Sequence, residues 1–184
     1  MLQLLAILAA PFLDLPIIKR IRRNHGLEHA TIHVLSHKVK NLSMAGRSTS
    51  AGFYLYGNVP TREVERAVRE ALHRMRNGEH GLAIHPNCGT GLVTAGFLTS
   101  VTTLVATSGM RNSISDRLSR LPSIVLMSTL ALILSQPLGL ALQHHFTTLG
   151  DPGDTEVLDI SRSELPMPLG GQRLTVHFVR THSS

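Results

Sequence analysis

Two short stretches of this 184-residue chain hold residue types able to do chemistry together. The first is His25-Gly26-Leu27-Glu28-His29. Histidines four apart lie on one face of a helix, with the intervening Glu on the same side. Two neutral imidazoles so placed can grip one metal ion, and the carboxylate can take a proton from an attacking water. The second stretch is His85-Pro86-Asn87-Cys88-Gly89-Thr90, where a sharp turn brings His85 and Cys88 close enough to share an ion. Thiolate and imidazole together suit zinc. His25, His29, His85 and Cys88 would make a full tetrahedral set, or three ligands plus a water, with Glu28 the candidate catalytic base. Without an ion, the same residues would make a hydrogen-bonded polar core.

The H-x-x-E-H order of the first stretch is that of the inverzincin zinc proteases. His33 and His37 continue its helical stripe and are expected to support the ligands. His73, His144, His145, His177 and His182 are expected at the surface. Glu79-His80 is a supplementary candidate, and Arg47 suits a carboxylate or phosphate, or a plain exposed turn. Cys88 is the only cysteine, so no intrachain disulfide forms and a reducing compartment fits. The chain carries no phosphate loop, nucleotide fingerprint or Ser-His-Asp elbow.

The elements that must position these groups read as an α+β arrangement. Residues 24–38 form a helix with Asn24 as N-cap. Strands are expected over 42–46 and 51–57, with Phe53 and Leu55 alternating against Tyr54 and Tyr56. Thr61, following Pro60, is expected as the N-cap of a helix whose Val64, Ala67, Val68, Ala71, Leu72 and Met75 make one apolar stripe. Asn77-Gly78 ends it, and residues 82–85 are expected as a third strand. The order helix-strand-strand-helix-strand is followed by two charge-free runs, Gly91 to Met110 and Leu121 to Gln143, each about long enough to cross a bilayer. Small pairs Gly91/Ala95 and Gly96/Ser100 suit close helix packing, and Gln136-Pro137 predicts a kink. The tail reads as a β-hairpin, Thr155–Ile160 and Gln172–Arg180, with Leu174, Val176 and Phe178 on one face and a turn near Gly170-Gly171. The resulting divisions are 1–18, an apolar anchor or interfacial segment; 19–90, a basic α+β domain; 91–143, a transmembrane hairpin; and 144–184, a β tail packing on 19–90. Residues 1–18 lack the positive start and small-residue cleavage site of a signal peptide.

Charged residues are 16% of the chain, and the net charge of +6 is uneven. Residues 19–90 carry twelve Lys/Arg against five Glu. Next to apolar spans, such a balance indicates the cytoplasmic face of a membrane protein rather than nucleic-acid binding. Arg111, Arg117 and Arg120 between the spans oppose that orientation. The expected partners are the lipid bilayer and, through the small-residue span, other membrane proteins or a second copy.

The paired stretches, His25-Gly26-x-Glu28-His29-x-Thr31-Ile32 and His85-Pro86-x-Cys88-Gly89-Thr90, resemble the signature of bacterial YqhQ-like membrane proteins. Those are described as predicted metal-dependent enzymes. A smaller uncharacterised bacterial family is more similar still, matching also Ala45-Gly46-Arg47-Ser48, Gly52-Phe53-Tyr54-Leu55-Tyr56-Gly57 and Gly150-Asp151-Pro152-Gly153-Asp154. The resemblance covers most of residues 20–155 and implies a fold and a bound metal. Two functions follow as expectations. One is a membrane-associated zinc hydrolase, peptidase-like, with Glu28 as base. The other is a non-catalytic assembly factor or complex subunit whose His/Cys site is structural.

Overall fold

The computed structural model describes residues 2–109, 113–166 and 173–184, which divide into two units, 1–85 with 144–184, and 86–143. The expected turn at Gly170-Gly171 and Arg111 lie outside the described residues. The chain is α+β as its patterning predicts, with five α-helices and a four-stranded antiparallel sheet among the described residues.

The first unit opens with α1 (Leu2–Leu13) and α2 (Pro16–Lys38). The second helix begins eight residues before the expected start. Pro16 sits in its first turn, where its fixed φ suits a helix, and nothing in the following Lys/Arg run breaks it. Asn24 is therefore no cap. It is buried mid-helix, its amide donating to the Thr49 carbonyl at 2.8 Å and its oxygen accepting from the Thr181 hydroxyl at 2.6 Å.

Strands β1 (Ala45–Thr49) and β2 (Gly52–Tyr56) form the expected hairpin, with the first strand shifted toward the turn. Arg47 thus lies in a strand opposite Tyr54 rather than in the turn. Helix α3 (Thr61–Arg76) buries all six residues of its apolar stripe. The expected third strand is replaced by a 3-10 turn, His80–Ala83. Two things displace it. The place beside β2 is taken by β4 (Arg173–His182), which pairs on its other side with β3 (Glu156–Pro166), so the sheet order is β1-β2-β4-β3. The Ala83 and Ile84 carbonyls, meanwhile, are turned to histidines.

Phe53 and Leu55 face Val179 and His177 across β2 and β4, and all four are fully buried. They close a core with Leu27, Ala30, Val34 and Leu35 of α2 and the α3 stripe. His177, expected at the surface, lies inside because β4 is central in the sheet. Its Nε2 pairs with the Thr61 hydroxyl at 3.0 Å. The face bearing Phe178 is the outer one, where that ring packs against Tyr54 with centroids 4.5 Å apart. A clasp ties the tail to α2. Arg23 meets Asp154 at 2.6 Å and also donates to the Ser184 carbonyl. Gly153 turns the chain there at φ +53°, and any side chain on it would strike the Arg23 guanidinium.

The second unit holds α4 (Gly89–Thr107) and α5 (Ile114–Leu142), both long and apolar enough to cross a membrane. Only 6% of the apolar window of α4 is buried and 17% of that containing α5, unlike the core helices of a soluble domain. A Cβ on Gly139 would lie 2.9 Å from the Gly91 Cα, so the helices meet there with almost no side chain between them. Gly96 has open space instead. Each threonine of α4 that bonds a carbonyl one turn back, such as Thr94 to Thr90 and Thr103 to Thr99, hides its hydroxyl within its own helix.

Candidate metal-binding histidine cluster

His25, His29 and His33 rise along one side of α2 at four-residue spacing. The ring of His25 stands edge-on to that of His29 with centroids 4.4 Å apart. His85, arriving from the 3-10 turn, places its ring 5.8 Å from His29 and 4.9 Å from His33. His85 thus lies beside His29 and His33 within the first unit. His33 belongs to the same group, whereas His37 is exposed.

Backbone carbonyls orient these rings. The His25 Nδ1–H donates to the Thr147 carbonyl at 2.9 Å, and the His29 Nδ1–H donates to the Ala83 carbonyl at 2.7 Å. A carbonyl can only accept, so each bond fixes the proton on Nδ1 and leaves Nε2 as the lone-pair nitrogen of the neutral ring. Metal-ligating histidines are commonly held this way, with the distal nitrogen bonded to a carbonyl or carboxylate. His33 is reversed, its Nε2–H donating to the Ile84 carbonyl at 3.0 Å. Burial, and then the neighbouring His33 and His29, push the His85 imidazole down to about 4, so it is neutral at neutral pH.

Glu28 is buried at 4% exposure and faces β1, where the Ser48 hydroxyl donates to its carboxylate. Gly46 makes room for it, since a Cβ there would overlap the carboxyl group. Burial raises the Glu28 pKa, with the Ser48 hydrogen bond and the nearby His25 pulling the other way. Ser48 and Gly46 were not foreseen as parts of this site. Their signal lay in the stretch Ala45-Gly46-Arg47-Ser48, whose meaning depends on a helix twenty residues upstream. Glu79 is engaged by Arg74 on the surface, with three hydrogen bonds between them.

In the second unit Cys88 caps α4, its sulfur accepting from the Thr90 N–H at 3.4 Å. By residue type His25, His29 and Cys88 make up a group that could hold a metal ion.

The family model described as "Domain of unknown function (DUF6391)" matches residues 20–160. An uncharacterised protein of Picosynechococcus sp. is 34% identical over 142 residues, covering 70% of this chain. The aligned region spans 65% of that relative's length. No solved structure matches the chain.

Proposed function

The chain belongs to the DUF6391 family, and on that footing we propose that it is a membrane-inserted zinc protein working as a peptidase-like hydrolase. His25, His29 and Cys88 hold the ion, and Glu28 serves as base. The observation that carries this reading is the pair of Nδ1–H bonds to the Thr147 and Ala83 carbonyls. Each presets its ring to offer Nε2, which is how a ligating imidazole is held in place. Cys88 follows His85 by three residues, and a thiolate with two imidazoles is a donor set that suits zinc. Three such protein ligands would leave room for a water; His85, beside His29 and neutral, is the fourth candidate ligand.

A zinc ion bound there supplies Lewis acidity to the scissile carbonyl. The chain's own residues do the rest. Glu28, its pKa raised by burial, takes up the proton of the attacking water and returns it to the leaving amine. Ser48 holds the carboxylate in one orientation while it does so. The same cradle favours a rival reading: a carboxylate fitted under Gly46 is also what a closed structural site in an assembly factor would keep. Helices α4 and α5 anchor the protein in the cytoplasmic membrane, with residues 19–90 on the cytoplasmic side because their twelve Lys/Arg outweigh Arg117 and Arg120 in the first turns of α5.

Metal analysis of the purified full-length protein tests the site. About one zinc per chain is expected, with most of it lost in His29→Ala; equal zinc in both proteins rejects the site. Glu28→Gln then separates the two readings. Hydrolysis of a casein-derived peptide set should fall at least about a hundredfold, the lower range for a lost general base, with zinc and fold retained. Unchanged turnover would leave Glu28 a structural residue.

A further inference from the structure

The helical hairpin contains a cavity of about 590 Å³, within the roughly 300–1,000 Å³ range of ligand sites. Its polar lining is Asn87, Cys88, Ser135, Gln136 and Gln143, and no charged residue lines it. The Ser135 hydroxyl is already given to the Leu132 carbonyl. Gln136 differs. It stands in an otherwise apolar stretch of α5, is exposed, and has no hydrogen-bond partner among the described residues. A primary amide in hydrocarbon is costly unless something pairs with both its N–H and its C=O, so an intramembrane glutamine marks a place where a ligand or partner docks.

The lining decides the ligand's chemistry. A phosphate headgroup would call for Lys or Arg and an ammonium for a carboxylate, and the cavity offers neither. An acyl tail would leave the amide unmet. What the Gln136 amide complements is a neutral group that both donates and accepts: a peptide backbone not satisfied by its own helix. We infer that this cavity binds an unwound segment of a membrane-embedded peptide, with Gln136 pairing to its exposed backbone. The inference rests on the membrane-inserted reading above and gives that reading's hydrolase its substrate class, because Cys88 lines the cavity as well as belonging to the proposed ligand set.

The test is peptide binding, read without turnover. Full-length protein in phosphatidylcholine nanodiscs is titrated, by fluorescence anisotropy, with a labelled apolar peptide carrying a central Gly-Pro pair. A Leu/Ala peptide of equal length, which stays helical, is the comparison. The Gly-Pro peptide should bind at least about tenfold more tightly. Gln136→Leu should remove that preference while leaving far-UV circular dichroism unchanged, since the side chain is exposed. Leu140→Trp, which fills the cavity, should weaken the Gly-Pro peptide as well. Equal binding of both peptides, an undiminished preference in Gln136→Leu, or displacement by a short-chain phosphatidylcholine overturns the inference. So does a Gln136-dependent dimer that excludes the peptide, because the amide would then serve a second copy of this chain. Chelator treatment should not alter peptide binding. Zinc absent with the preference intact would therefore reject the metal site alone, and zinc present with the preference absent would reject this inference alone.

Discussion

The two units solve the problem of polar groups in opposite ways. In the first, buried polar side chains find partners across long stretches of sequence: Asn24 with the Thr49 carbonyl and the Thr181 hydroxyl, Arg23 with Asp154, and Glu28 with Ser48. Around them lies a core of fully buried Phe53, Leu55, Val64, Val68 and Met75. In the second, large apolar side chains stand outside, among them Leu92, Phe97, Leu104 and Ile133. Threonine hydroxyls there are satisfied one turn away within their own helix. Apolar burial drives folding only where water is the alternative environment, so the first unit is organised against water, whereas the second leaves most of its apolar side chains unburied. The cluster of His25, His29, His33 and His85 lies in the unit where long-range pairing holds side chains in place.

The sharpest way to break this contrast is to truncate one phenylalanine in each unit. Phe53→Ala, at a fully buried position, should cost about 3–5 kcal/mol in denaturant unfolding of the micellar protein. Phe97→Ala, 66% exposed, should cost under about 1 kcal/mol. Similar costs at both sites would mean that α4 is packed like a soluble core. A smaller effect is expected where the hairpin is most closely packed. Gly139→Leu inserts atoms where the Gly91 Cα already leaves no room, and should cost about 1–3 kcal/mol. Disulfide trapping between cysteines placed at Thr103 and Ser128, whose hydroxyls lie 3.4 Å apart, should slow in that variant and not in Gly96→Leu. Equal trapping in all three proteins would show that the Gly91–Gly139 contact does not set the packing.

The mildest expected effect is acid sensitivity confined to the first unit. Burial holds the His177 imidazole below its ordinary range, so the unfolded chain binds more protons than the folded one. Its contribution is complete above about pH 6.5 and is lost as pH falls through that value, with a slope no steeper than about 1.4 kcal/mol per pH unit. The Asp154 carboxyl is held at about 2, first by the Ser184 N–H, with the Arg23 guanidinium adding to it. It therefore contributes above its ordinary pKa near 4 and stops contributing as pH falls toward 2. A His177→Leu variant should flatten the unfolding profile between pH 7 and 5 while Asp154→Asn alters only its acid limb. Unchanged slopes in both variants would place the acid sensitivity elsewhere.

What the amino-acid sequence determined by itself is local and periodic. The stripe of α3, the alternation of Phe53 and Leu55 against the tyrosines, and the two long apolar helices all follow from the pattern along one element, because each side chain's environment is set by the period of its own backbone. The helical placement of His25 and His29 was legible for the same reason. Tertiary structure decided what depends on partners far away. It sank His177 into the core, because β4 rather than residues 82–85 took the place beside β2. It turned the Ala83 and Thr147 carbonyls to His29 and His25, fixing which nitrogen each ring presents. Asn24, which as a local signal reads as a cap, became an interior tie between α2, the β1 turn and β4. A backbone carbonyl carries no residue identity, so a site assembled from carbonyls becomes visible only once the chain has closed around it.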